Sequence, residues 1–71
     1  MKYAIIDQTK GDWFDELFEN EKAAISKADY EWINMTQHDR SRREAYFVAA
    51  CEVDEEGCII WDSVRSVKEY L

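Results

Sequence analysis

The stretch EAYFVAACEV, residues 44–53, limits the possible folds more than any other part of the chain. Its aromatic and β-branched side chains read as a strand. Successive side chains of a strand point to opposite faces. Tyr46, Val48 and Ala50 therefore share one face, and Phe47, Ala49, Cys51 and Val53 the other. Both faces are apolar, and a strand of that kind belongs in the middle of a sheet, covered on both sides. DEEG follows at 54–57, with Gly57 suited to the left-handed position of a tight hairpin, and CIIW at 58–61 returns as a shorter strand.

The chain has 71 residues, enough for a single domain over 1–71. A domain of this size buries only about 60% of its unfolded surface, so its core must be rich. Three Trp, four Tyr and three Phe supply it, each ring removing on the order of 150–250 Å² from water.

Other segments fit around the central strand. KYAIID, residues 2–7, alternates as a strand, with Tyr3 and Ile5 on one face and Ala4 and Ile6 on the other. QTKGD then turns near Gly11. DWFDELFE, 12–19, is two-sided. Trp13, Phe14, Leu17 and Phe18 recur at helical spacing, whereas the short preceding turn suits the second strand of a hairpin. The strand is the preferred reading. Residues 21–36 form the main helix, with Asn20 as N-cap and Glu21 at the positive end of the dipole. Ala24, Ile25, Ala28, Trp32 and Met35 fall in one arc of the helical wheel. The small Ala24 and Ala28 allow close approach to a sheet, and Trp32 is the main plug. Thr36 ends this helix and, with Asp39, resembles a capping box for a short turn. At the C-terminus, Val64, Val67 and Leu71 at i, i+3 and i+7 predict a final short helix. The expected architecture is α+β: a small antiparallel sheet of three to four strands, one main helix and a short C-terminal helix.

Net charge is −7. Residues 1–37 carry −4, residues 38–44 carry +1 and residues 45–71 carry −4, so acid is spread along the chain. A field of that sign opposes nucleic acid and anionic lipid. No run of about 18 apolar residues predicts a membrane span, and the N-terminus lacks a signal-peptide pattern. A cytoplasmic protein is expected, with Cys51 and Cys58 as buried free thiols.

The residues argue against an enzyme, and no cofactor, metal or small-molecule substrate is expected. His38 is the single histidine and lies in a polar turn, and the two cysteines are seven apart, so neither a triad nor a zinc set is available. There is no Gly-rich phosphate loop. Partner binding is the remaining class, and two places invite it. One is HDRSRRE, 38–44, where Arg40, Arg42 and Arg43 crowd together in an acidic chain. Its functional reading is a phosphate-binding turn. Its plainer reading is local neutralisation, Arg40 by Glu44 and Arg43 by Asp39, at the negative end of the helix dipole. Arg42 has no such local partner. The other is the pair Tyr30 and Ile33, off the core arc of the helix, which either packs under the ends of the sheet or forms an exposed contact for a partner or a second copy.

Ala24, Ala28, Trp32, Met35, Thr36 and Asp39 make the pattern A-x-x-x-A-x-x-x-W-x-x-[LM]-T-x-x-[ED], followed by a basic stretch and an aromatic strand. In this the chain resembles a set of small uncharacterised proteins of comparable length from Firmicutes genomes and phage-like or conjugative elements. Met35 stands where those proteins have Leu, and Asp39 where they have Glu. The resemblance implies a bacterial, intracellular, mobile-element setting and no catalytic residues. The expected function is therefore a small interaction protein with a protein partner or a second copy. An acidic mimic of nucleic acid and a nucleic-acid binder using the Arg40–Arg43 turn are its rivals.

Overall fold

The chain runs β1 (Lys2–Asp7), β2 (Asp12–Phe18), α1 (Glu21–Asn34), α2 (Gln37–Ser41), β3 (Tyr46–Val53) and β4 (Ile59–Glu69). The computed structural model describes residues 1–7, 12–43 and 45–70, with the backbone alone for 12–15. The expected turn at Gly11 lies outside the described residues. The four strands form one antiparallel sheet in the order β2-β1-β3-β4. The fold is α+β, and β3 is a central strand, as its two apolar faces require.

β1 pairs with β3 without interruption, Tyr3 opposite Ala50, Ile5 opposite Val48 and Asp7 opposite Tyr46. Residues 12–18 are a strand. Between the pairs Ala4–Leu17 and Ile6–Trp13, β2 spends four residues where β1 spends two, so an irregularity in the ladder absorbs the extra positions.

α1 starts where Asn20 Oδ1 accepts the Ala23 N–H at 2.8 Å. It ends at Asn34. Met35 is already extended, and Thr36 Oγ1 accepts the Asp39 N–H at 3.1 Å to start α2. Ala24 and Ala28 are fully buried against Ile5, Tyr46 and Val48, and Ile25, Trp32 and Met35 pack around them. The predicted arc is the observed one. At its C-terminal end Trp32, Tyr46 and Tyr70 form an aromatic triangle with ring centroids 5.5–5.6 Å apart.

Among the described residues, no helix packs on the other face of the sheet. Ala4, Cys51 and Ile59 form its buried cluster, flanked by Leu17 and Val64. No helix among the described residues is long and apolar enough to cross a membrane.

The expected C-terminal helix is instead the second half of β4. Val64 and Val67 are three apart, which puts them on one side of a helix but on opposite sides of a strand. Val64 packs with Ala4, Cys51 and Ile59; Val67 and Tyr70 pack with Ile5, Tyr46 and Val48. The sheet thus buries residues on both faces, and the Tyr70 N–H extends the ladder to the Tyr46 carbonyl at 3.0 Å. Pairing along β3 outweighs a weak three-residue period.

The expected turn at 54–57 would set Val53 opposite Cys58, and the β3–β4 register differs from that. Val53 lies opposite Ile59, and Glu52 opposite Ile60. The turn is one residue longer because Asp54 organises it: Asp54 Oδ1 accepts the N–H groups of Glu56 and Cys58, both at 2.9 Å. Gly57 adopts φ +83°, the left-handed conformation that glycine takes at low cost. The longer turn leaves Cys51 buried, with burial raising its thiol pKa, but puts Cys58 at the surface.

Candidate functional site

The crowded arginines are mostly engaged inside the chain. Arg40 reaches back over the end of α1. Its Nε and Nη2 donate to the Trp32 carbonyl at 3.1 and 2.9 Å, Nη2 also donates to the Ile33 carbonyl at 3.2 Å, and the guanidinium lies 5.4 Å from the Trp32 ring centroid. It satisfies carbonyls that a helix end leaves open, at the negative pole of the dipole. Its expected partner Glu44 lies outside the described residues. Arg43 does not pair with Asp39. It crosses to the end of β1, where Nη1 donates to Asp7 Oδ2 at 2.7 Å. The Asp7 side chain is 2% exposed and that of Arg43 18%, so this is a largely buried pair between residues far apart in sequence. Arg42 is exposed, as its lack of a local partner suggested.

Tyr30 and Ile33 stand out from α1, 64% and 71% exposed. Lys27 sits 5.9 Å from the Tyr30 ring centroid and pairs with Glu31 at 3.2 Å. Nearby, Asp29 ties the helix to β4: its Oδ1 accepts from Tyr70 Oη at 2.6 Å and from Lys68 Nζ at 2.9 Å. The hydrogen bond from Tyr70, then that from Lys68, holds the Asp29 carboxyl below its ordinary range. Burial and the same bond push the Tyr70 phenol well above its ordinary value.

A second surface escapes the sequence pattern. Between Ala50–Arg65 and Glu52–Ile60, β4 spends five residues where β3 spends two. Ser63 holds this wide bulge in place. Its hydroxyl accepts the Glu52 N–H at 2.8 Å and donates to the Ile60 carbonyl at 2.6 Å, standing in for the missing ladder. Bulges bend a strand and re-aim its side chains. Here Trp61, the first residue of the bulge, comes out half-exposed, while Ile60, still paired with Glu52, is half-exposed on the opposite face from Ile59. On the helix-free face, Trp61 borders a groove of about 590 Å³ lined by Glu16, Leu17, Glu56, Cys58 and Ile59. Leu17 comes from one edge strand and Ile59 from the other, and both pack with Ala4 and Cys51 of the central strands. Small side chains in the middle and larger ones at the edges leave the concavity. The one visible signal was the run Ile59-Ile60-Trp61, apolar on both faces of a strand that follows the last turn.

The acidic residues divide unevenly. Glu52, Asp54, Glu55, Glu56 and Asp62 are exposed around the β3–β4 turn. Glu69 lies opposite Phe47, at the far end of β3, six residues or about 20 Å away at strand rise. These carboxylates form a patch at one end, not a file along the molecule. His38 is exposed on α2. Among the described residues, no group of three or more His, Cys, Asp or Glu side chains is placed to hold a metal ion. Comparison of the chain with protein-family models, with curated proteins and with solved structures gives no match.

Proposed function

We propose that the chain is a small protein-binding module with no catalysis of its own, an accessory protein of a mobile element acting in the cytoplasm. The observation that carries this reading is the half-exposed Trp61, the first residue of a bulge that Ser63 holds in place. An exposed tryptophan beside a concave apolar surface is the kind of anchor on which protein interfaces concentrate their energy. Tyr30 and Ile33 offer a second contact surface on the helix. The mobile-element setting draws on the resemblance of the Ala24-to-Asp39 pattern.

Site-specific photo-crosslinking tests the reading. A benzophenone amino acid is placed in turn at positions 30, 33, 60 and 61 and irradiated in host cells. A discrete adduct from at least one position is the expected result, and its mass separates a second copy from a different protein. Adducts from none of the four remove the binding role.

The crowding of Glu52, Asp54, Glu55, Glu56 and Asp62 favours a second reading, an acidic mimic that occupies a nucleic-acid-binding protein. That reading expects the captured partner to be displaced by duplex DNA. Direct nucleic-acid binding through the arginine turn has less support, since Arg40 and Arg43 are engaged within the chain and Arg42 is left.

A further inference from the structure

We infer that the groove on the helix-free face receives a basic segment of a partner protein, seated by one apolar side chain. This deepens the protein-binding reading and rests on it. Two features of the groove define its occupant. Leu17, Ile59 and Trp61 give it an apolar lining, and its volume of about 590 Å³ has room for an apolar anchor together with the residues flanking it. Glu16 and Glu56 line it as well, and the exposed Asp54 and Glu55 of the same turn extend the negative field beyond its rim. Lysine or arginine beside the anchor matches that field, while an acidic segment is repelled by it.

A second copy of this chain is a poor occupant. Five of its nine basic side chains are engaged internally, Lys2 with Glu19, Lys27 with Glu31, Arg43 with Asp7, Lys68 with Asp29 and Arg40 with the carbonyls of α1, and the exposed Lys22, Arg42 and Arg65 have no exposed large apolar residue beside them in sequence to serve as the anchor. Its exposed apolar pair on α1, Tyr30 and Ile33, is neighboured by the ion-paired Lys27 and Glu31 and by Asp29, a mixed surface without the excess positive charge that the groove asks for. The geometry therefore points outward, to a different protein.

The test uses the full chain, isotope-labelled, in an NMR titration with three probes. These are the peptide KRLLKR, its acidic counterpart EELLEE, and spermine, which carries positive charge without an apolar side chain. KRLLKR is expected to move the resonances of Leu17, Ile59 and the Trp61 indole, more weakly as salt is raised. EELLEE is expected to move none of them. Trp61→Ala and Glu16→Gln/Glu56→Gln each reduce the affinity for KRLLKR about tenfold. All three substituted residues are at the surface, and unchanged resonances elsewhere confirm that each variant is folded.

Three outcomes overturn the inference: no groove response to KRLLKR, an equal response to spermine, or undiminished affinity in Trp61→Ala. Crosslinks from position 30 or 33 combined with a silent groove remove the groove alone and leave the binding role standing. A silent groove with no crosslink from any position removes both.

Discussion

Arg43→Met should be among the costliest substitutions in this protein, although it changes a basic residue in a loop. The cost falls on Asp7. Its side chain is 2% exposed, and the guanidinium 2.7 Å away compensates a charge that water cannot reach. Removing one partner of a buried ion pair costs about 3–5 kcal/mol, mostly because the other charge stays buried. The pair here is not wholly dry, since Arg43 is 18% exposed, so the expected loss is about 2–3 kcal/mol. Against a total near the low end of about 5–15 kcal/mol, that is close to half the stability. For a domain of this size it lowers Tm by about 10–20 °C.

Methionine keeps the apolar stem and removes only the charge and its donors, so packing loss is small. Urea denaturation followed by tryptophan fluorescence gives the stability difference from the midpoint at constant slope. Asp7→Asn should cost less, because the stranded arginine can turn its partly exposed head to water. The double variant Asp7→Asn/Arg43→Met should be more stable than Arg43→Met alone. A loss below about 1 kcal/mol for Arg43→Met, or a double variant weaker than both singles together, would refute the reasoning.

Trp32→Ala opens the aromatic triangle with Tyr46 and Tyr70 and should cost about 3 kcal/mol, the low end for a large aromatic because the ring is only partly buried; thermal unfolding by circular dichroism checks it, and a shift of a degree or two contradicts it. Asn20→Ala removes the acceptor for the Ala23 N–H and should cost about 1 kcal/mol, read from the same denaturation curves. Alkali should unfold the protein. Burial pushes the Tyr46 phenol up to about 12 and Tyr70 well above its ordinary value, so both stay neutral in the fold after the unfolded chain has ionised. Their stabilisation is therefore complete below about pH 10, the unfolded value, and is lost as pH rises through the folded values. Tyrosinate absorbance and circular dichroism should change together, less steeply in Tyr70→Phe; ionisation of all the tyrosines near pH 10 with the fold intact would contradict this.

What the sequence disclosed follows from which forces act locally. The helix of residues 21–34 was readable because its cap, its dipole and its apolar arc all lie within one segment. The central position of β3 was readable because burial on two faces leaves a local trace, an unbroken apolar run. The strand at 59–61 was readable, but the second half of β4 was not, because its spacing is set by a partner strand. Two slips against β3 shift which residues face which core, and no residue of β4 records them alone. The arginine turn was half legible. Position at a helix end gave Arg40 its dipole role, but Arg43 is held by Asp7, 36 residues earlier, and that contact exists only once β1 has paired with β3. Of the groove only the apolar run Ile59-Ile60-Trp61 was visible, since the rest of its lining comes from β2 and the hairpin turn.

The slips along β4 also bear on how the protein behaves when crowded. β4 is a sheet edge eleven residues long, and a long straight edge is a template on which other chains can polymerise. Here the ladder is broken twice, leaving paired runs of only two residues between kinks. A neighbouring strand has no continuous row of amides and carbonyls to follow, so fibril-like growth is frustrated at its first step. The irregularity that brings Trp61 to the surface thus also guards the edge beside it, letting an aromatic contact be displayed without inviting aggregation.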